Sequence, residues 1–535
     1  MECHCIRAVD VPHTTRLYSS YLQDFSSIAR FYAHPPTFEA IKDAAGSVHP
    51  DPESRLRIAE VLRAQNRRFG SDASVEAALD RFASGAAVAV TGQQVGLFSG
   101  PSFTIYKALT ALRVAEELER AGTPAVAIFW LATEDHDLAE IDHCFWPSRE
   151  GVEKIGLSSS EHEGRRAGEV PLGEAVIAAV ERATVRLEGP AAEEMRAALT
   201  DSYAPSETYG SAFGKLLARV FAGRGLILLD PISEELHRLT EPLYRATLER
   251  HSELNQALAA RGKELERDGY HVQVKVVEES TALFLNLDGK RIPVRARNGD
   301  FVAGRREFSL AELTDLLSRS PTDFSANVLF RPVIQDALLS TVAYIAGPSE
   351  IAYLAQASVN YDRLLGRMPV ILPRASFTVI DAHSARLLHK YELELSDVLG
   401  GGAKLRAKME GTLLPKTLTR RFERGDKSMR KMLTELREQV TKLDSTLGGA
   451  MDTAESKMLF QFSKLQEKAG RALAMRSSIL DSHEKELLAQ LYPNGGLQER
   501  AHCFLPTLAM QGMGLFDELG RRIKLGGAKH QVLYL

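Results

Sequence analysis

Apolar runs without polar alternation recur along this chain, and each ends in small or polar residues. Ala86–Val90 gives way to Thr91-Gly92-Gln93-Gln94, and Ala125–Ala132 gives way to Glu134-Asp135-His136-Asp137. Such runs suit strands buried on both faces. Ile105 to Arg120 between them has helical periodicity and a glycine stop at Gly122. The pattern predicts a strand–helix–strand unit, with ligands at the carboxyl ends of its strands. Gly210 to Phe221 reads as a helix, and Gly225 to Asp230 reads as a third buried strand ended by Pro231. Thr341 to Ala346 precedes Gly347-Pro348-Ser349-Glu350, a helix to Leu365, and an apolar run over Pro369 to Pro373. One interrupted, doubly wound α/β domain with a parallel sheet accounts for this order.

Around that core the periodicity changes. Tyr21 to Tyr32 and Pro52 to Phe69 carry helical spacing, so residues 1–80 read as mostly helical. Residues 147–204 are charged and poor in aromatic residues, as expected of an insertion. A helical stretch over Leu236 to Arg267 leads into strand-like Tyr270 to Val277, Thr281 to Leu287 and Arg291 to Arg297. Asp288-Gly289 and Asn298-Gly299 supply the turns of an antiparallel insertion. Met429, Leu433, Leu436, Val440, Leu443 and Leu447 are spaced 4, 3, 4, 3, 4, the seam of a coiled coil, and Gly448-Gly449 is expected to break it. Ala454 to Ala472 continues as a second helix, so a helical hairpin is expected. The resulting division is core over 1–146, 205–250 and 328–380, insertions over 147–204 and 251–327, a helical coiled-coil hairpin over 381–496, and a segment returning to the core over 497–535.

At 535 residues the chain is too long for one core. Its net charge of −4 gives no global basic field, which argues against nucleic acid and for small-molecule substrates. Four scattered cysteines make no disulfide framework. With no run of about 18 apolar residues and no apolar stretch at the N-terminus, a cytoplasmic protein away from the membrane is expected.

The candidate chemistry sits at the strand ends. Glycines at 92, 96 and 100 form neither the dinucleotide fingerprint nor a Walker loop, yet the turn can present N–H groups to a phosphate or carboxylate, with Lys107 early in the next helix. A plain tight turn explains these glycines equally well. Glu134, Asp135, His136 and Asp137 can orient an amine or accept a proton. No metal-ligand motif is matched, and a solvated loop is the bland alternative. Arg331, Gln335, Asp336, Glu350, Tyr353, Gln356 and Arg374 offer a fork for anions and a carboxylate for an ammonium group; an internal ion-pair network is the competing reading. Gln273, in the Tyr270 run, can look into the same cleft. Cys3-His4-Cys5 lacks the second pair that a metal site needs.

Thr91-Gly92-Gln93-Gln94, Gly100-Pro101, Tyr106-Lys107-Ala108, Glu134-Asp135-His136-Asp137, Arg331-Pro332, Gln335-Asp336, Gly347-Pro348, Glu350-Ile351-Ala352-Tyr353 and Gln356 together resemble the bacillithiol biosynthesis cysteine-adding enzyme family. The resemblance extends to Leu226 to Asp230, Pro369 to Arg374 and Gln498-Glu499-Arg500. It implies a Rossmann-like core with two connecting-peptide insertions and a coiled-coil hairpin. It also implies a ligase that joins cysteine to the amine of glucosaminyl-malate. ATP with magnesium is the expected activator. Thr91, Gly92, Gly100 and Lys107 are then expected at the nucleotide, and Asp135, His136 and Asp137 at the amine. Gln93, Gln94, Glu134, Gln273, Arg331, Gln335, Asp336, Glu350, Tyr353, Gln356 and Arg374 are expected around the substrates, and the coiled coil in a homodimer. The alternatives are an ATP-dependent amide ligase for another amine and a nucleotide-binding coiled-coil scaffold.

Overall fold

The central sheet of the computed structural model, which describes residues 3–148, 151–158, 160–474 and 478–535, has five parallel strands. Their order is Val370–Pro373, Thr341–Ala346, Ala87–Gln93, Ala125–Leu131, Ile227–Leu229. The chain starts in the middle strand, builds outward on one side, and returns to build on the other. The switch point therefore lies between Ala87–Gln93 and Thr341–Ala346, where doubly wound sheets open a crevice.

Period-two alternation sorts the strand side chains into two cores. Ala89, Ala127, Phe129 and Ile345 join the Phe103–Arg120 helix on one face. Val88, Val90, Ile128, Trp130 and Tyr344 join the Pro52–Phe69, Ala73–Ala83 and Pro348–Leu364 helices on the other. Gly92 stands opposite Trp130, and a Cβ at Gly92 would lie 2.9 Å from the Trp130 carbonyl oxygen. Only glycine allows that approach.

The described residues among 147–204 stay outside the central sheet. A His143–Ser148/Gly151–Gly156 hairpin leads into them, and they carry the Ala175–Thr184 and Ala192–Ser202 helices. The second insertion folds as an antiparallel sheet ordered Arg306–Phe308, Asp300–Ala303, Lys290–Arg297, Ser280–Leu287, Phe324–Ala326. The strand expected over Tyr270 to Val277 is absent, and the chain there is irregular. Its backbone groups are taken by side chains: Gln356 accepts from the Val274 N–H at 2.9 Å and donates to its carbonyl at 2.8 Å, and Asn255 donates to the Val277 carbonyl. No ladder can form on groups already spent.

The long helical stretch expected from Leu236 is two helices, Glu234–Glu249 and His251–Arg267. Lys416–Leu443 and Gly448–Ala474 form the helical hairpin. Its break falls at Asp444, whose carboxylate accepts from the Thr446 N–H and hydroxyl, and Gly448 opens the second helix instead of ending the first. Lys529–Tyr534 runs antiparallel to Cys3–Arg7, a strand not foreseen in the N-terminal region, and parallel to Phe377–Ile380. The two ends of the chain thus share one small sheet. No helix among the described residues is long and apolar enough to cross a membrane.

Candidate active site at the switch point

A cavity of about 1010 Å3 opens at the carboxyl ends of the strands. Gly92, Gln93, Gln94, Gly100, Lys107, Glu134, Asp135, Gln273, Arg331, Glu350, Tyr353 and Arg374 all line it. Residues separated by more than 250 positions are brought together because the sheet reverses its winding there.

The turn that opens the cavity is strained. Phe98, Ser99 and Gly100 have φ of 51°, 74° and 64°, in the left-handed region. Contacts from elsewhere hold them: the Phe98 N–H donates to the Tyr203 hydroxyl at 2.9 Å, and the Cys503 thiol donates to the Phe98 carbonyl at 3.2 Å. A non-glycine left-handed residue persists only when its surroundings over-determine it.

On one wall, the buried Lys107 ammonium lies 2.5 Å from the Glu350 carboxylate and donates to the Gly92 carbonyl at 2.6 Å and to Gln93 at 3.1 Å. Glu350 also accepts from the Tyr344 hydroxyl at 2.6 Å and the Gly347 N–H at 2.7 Å. Burial pushes Lys107 below the ordinary ammonium range against the pull of Glu350. Burial works to raise Glu350, but Lys107, Tyr344 and the Gly347 N–H overcome it and hold the carboxyl low. Arg331, on the Arg331–Leu339 helix, donates only to neutral groups: Gln335 at 3.0 Å, Tyr353 at 3.3 Å and Tyr344 at 3.4 Å. Among the described residues, no carboxylate lies within 4.0 Å of it.

On the opposite wall, Gln94 donates to Asp135 at 2.8 Å and to Glu140 at 2.7 Å. Asp135 accepts the His136 N–H as well. Arg291, from the second insertion, lies over the Phe284 ring and donates to His136 Nδ1 at 3.0 Å, to Ser325 and to the Ala326 carbonyl. Arginine can only donate, so His136 Nδ1 is an acceptor and the ring's proton sits on Nε2. Burial and Arg291 depress the His136 pKa, with Asp135 and Asp137 opposing them. Glu134, at the end of Ala125–Leu131, faces His237 Nε2 at 3.1 Å. Burial works to raise its carboxyl, and His237, Arg291 and Arg166 bring it below the ordinary range.

Several expected site residues stand behind the wall. The buried Thr91 hydroxyl donates to the Ile345 carbonyl at 3.0 Å and ties two strands together. Gln335 and Asp336 are fully buried beneath Arg331, where Gln335 holds the guanidinium and Asp336 accepts from Gln335 and Tyr361. Gln356 is spent on Val274. His136 and Asp137 are outside the lining, and Asp137 is exposed. In their place the fold supplies Trp130, Arg291, Tyr344 and, from the C-terminal segment, Arg500. Arg291 follows a Gly turn in a hairpin, and nothing in its neighbourhood marks it; its pairing with His136 spans 155 positions.

Two family models match the chain: bacillithiol biosynthesis BshC, N-terminal Rossmann-like domain, over residues 1–375, and bacillithiol biosynthesis BshC, C-terminal coiled-coil domain, over residues 377–535. A Koribacter versatilis protein named "Putative cysteine ligase BshC" is 39% identical over 516 residues, covering 96% of each chain. Proteins of the same name from Solibacter usitatus and Salinibacter ruber are 37% identical over 539 residues and 31% over 530, covering at least 96% of each chain. The two models meet where the parallel sheet gives way to the small terminal sheet and helical hairpin, and with relatives alike over their whole lengths, this chain belongs to the BshC family of bacillithiol biosynthesis.

Proposed function

We propose that this protein is a ligase that joins the carboxyl group of cysteine to the amine of glucosaminyl-malate, with ATP activating the carboxylate. The names of its relatives support a cysteine ligase. The observation that carries the reading is the charge distribution of the cavity. Among the described residues, Arg331 and Arg500 line it with no carboxylate within 4.0 Å, while Lys107 and Arg374 are neutralised by Glu350 and Glu499. Cations free of internal partners suit polyanionic ligands, and both a malate-bearing sugar and a nucleoside triphosphate are polyanions.

Arg331, held by Gln335, Tyr344 and Tyr353, is assigned to a malate carboxylate, and Arg500 at the mouth to phosphate. Gly92 and Gln93 at the end of the Ala87–Gln93 strand, with Gly100 beyond it, are assigned to the activated carboxyl group, and Gln273 closes the cavity from the second insertion. ATP supplies the leaving group that makes the carboxyl carbon reactive. The protein's part is to hold amine and acyl carbon in contact and to accept a proton. Met432, Leu436, Leu443, Met458 and Leu465 are exposed apolar residues on the coiled-coil hairpin, and we assign them to a homodimer contact.

The test is mass spectrometry of protein incubated with ATP, magnesium, cysteine and glucosaminyl-malate, each omitted in turn. A product heavier than the sugar by one cysteinyl residue, dependent on ATP, is expected. AMP or ADP then identifies the activation route. Folded protein that binds both substrates and forms no amide overturns the reading.

A further inference from the structure

Resting on the ligase reading, we propose that Glu134 takes the proton from the attacking amine and that His237, on the Glu234–Glu249 helix, is a positioning residue that keeps Glu134 ionised and aimed into the cavity.

The inference starts from which acids in the cavity have lone pairs to spend. Glu350 is engaged by Lys107, Tyr344 and the Gly347 N–H. Asp135 is engaged by Gln94 and the His136 N–H, and Glu140 by the same Gln94. His136 has no lone pair free, because Arg291 occupies Nδ1 and Nε2 carries the proton. Glu134 differs from Glu350 and Asp135 in having fewer partners and from Glu140, which is exposed, in being buried. Among the described residues, its carboxylate has one neighbour within ion-pair distance, His237 at 3.1 Å, and it faces the cavity.

His237 is placed for this role. It is 3% exposed, stacks on Tyr244 with ring centroids 5.9 Å apart, and its Nδ1 has no hydrogen-bond partner among the described residues. An imidazole with one nitrogen orphaned and the other on a carboxylate at the edge of a cavity is costly as core packing alone. The charged and titratable groups around Glu134 are His237 and Tyr244 from this helix, Arg166 from the first insertion, Arg291 from the second, and Asp230 at the neighbouring strand end. Removing His237 leaves burial to raise the Glu134 carboxyl, with only the more distant arginines opposing it.

In the step itself, the amine lone pair forms the C–N bond to the acyl carbon of a mixed anhydride between the carboxylate and a phosphate or nucleotide. The acyl C–O bond of the anhydride breaks, its electron pair leaves on the phosphoryl oxygen of the phosphate or nucleotide, and the N–H proton moves to the Glu134 carboxylate.

The experiment uses the full chain with Glu134→Gln, His237→Leu and His237→Gln, each checked for folding by circular dichroism. The Glu134 carboxyl is titrated by 13C NMR of glutamate-labelled protein, identified by its absence in Glu134→Gln. The pH profile of kcat/KM for amide formation is measured alongside. We expect Glu134 to titrate below ordinary glutamates in the wild type, to move up in His237→Leu, and to be largely restored in His237→Gln, whose amide places a donor near the same point. The acid limb of the profile should move with it. Glu134→Gln should lower kcat by about 100- to 10,000-fold, the range of general acid–base catalysis, with KM little changed. An unmoved titration in an active His237→Leu enzyme overturns the role of His237, and full kcat in Glu134→Gln overturns the role of Glu134. Wild-type protein that forms no amide, yet shows the shifted titration, removes the ligase reading and the proton transfer while leaving the His237–Glu134 coupling in place.

Discussion

Arg374 and Glu499, 125 positions apart, meet at 2.7 Å with both side chains buried. Arg374 directly follows the Val370–Pro373 strand of the parallel sheet, and Glu499 lies in the short helix after the coiled-coil hairpin. Glu499 also accepts from Ser376 at 2.9 Å and from the Phe377 N–H at 3.0 Å. One carboxylate thus joins the C-terminal segment to the cavity wall. Breaking a buried pair leaves an uncompensated charge, so Glu499→Gln should lose about 3–5 kcal/mol in urea unfolding. Arg374 leads the interactions that overcome burial and hold the Glu499 carboxyl low. Its contribution is therefore complete above the unfolded value of about 4.3 and is lost as pH falls through the depressed folded value. The variant should show a shallower acid dependence than the wild type; equal dependence would mean that the pair contributes nothing.

His502 gives a second, separable pH effect. Burial lowers it from 6.5 to about 4, and its Nε2 lies 2.9 Å from the Ala489 carbonyl. Between these values the unfolded chain binds the proton and the folded chain does not. Stability is thus full above about 6.5 and falls as pH drops toward 4, by about 3 kcal/mol for this group. His502→Gln keeps a donor and removes the titration, so its unfolding free energy should change less from pH 7 to pH 4.

Gly92→Ala tests the closeness of the first two strands. The new Cβ would lie 2.9 Å from the Trp130 carbonyl oxygen and 3.0 Å from the Trp130 Cβ, and backbone in a sheet cannot turn aside. A loss of about 1–3 kcal/mol is expected from overpacking, read as a lower urea midpoint. A midpoint equal to that of the wild type would show that the strands separate freely.

Arg331 and Arg500 should separate binding from stability. Arg331→Met removes a cation fixed by three neutral partners, and calorimetry should show glucosaminyl-malate binding weakened by about 10- to 100-fold. Arg500 is exposed and has no hydrogen-bond partner among the described residues. Arg500→Ala should leave the thermal midpoint unchanged and weaken nucleotide binding by a few-fold, less so at high salt. If neither variant alters binding of either ligand, the anion assignments fail.

The coiled coil should set the assembly. Leu436 is 48% exposed and Leu465 is 56% exposed on the hairpin. Light scattering should give twice the chain mass for the wild type and the single mass for Leu436→Glu/Leu465→Glu. A monomeric wild type at micromolar concentration would sink the assignment.

The strands of the central sheet were legible because each is built on an apolar run, as a strand buried on both faces requires; the first continues through Thr91, Gly92 and Gln93, where a turn was expected. Gln93 and Arg374 could be placed near the cavity because they stand at or just beyond the ends of those runs, and Lys107 because it lies early in the helix that follows the first of them. Tyr270 to Val277 misled because side chains of Gln356 and Asn255 had already satisfied its backbone, a competition that alternation does not reveal. Gln335 and Asp336 misled for a related reason. Polar residues beside an arginine on a helix serve either a ligand or the arginine, and only packing decides which.

By itself, the sequence determined most of the helices, the parallel core and the strand ends at which chemistry would gather, since these follow from periodicities of a few residues. The tertiary structure alone decided that Arg291 reaches His136, that His237 faces Glu134 and that Glu499 neutralises Arg374. Those pairings span about a hundred residues or more, and whether a charge is spent or free depends on which distant partner the fold brings within 4 Å.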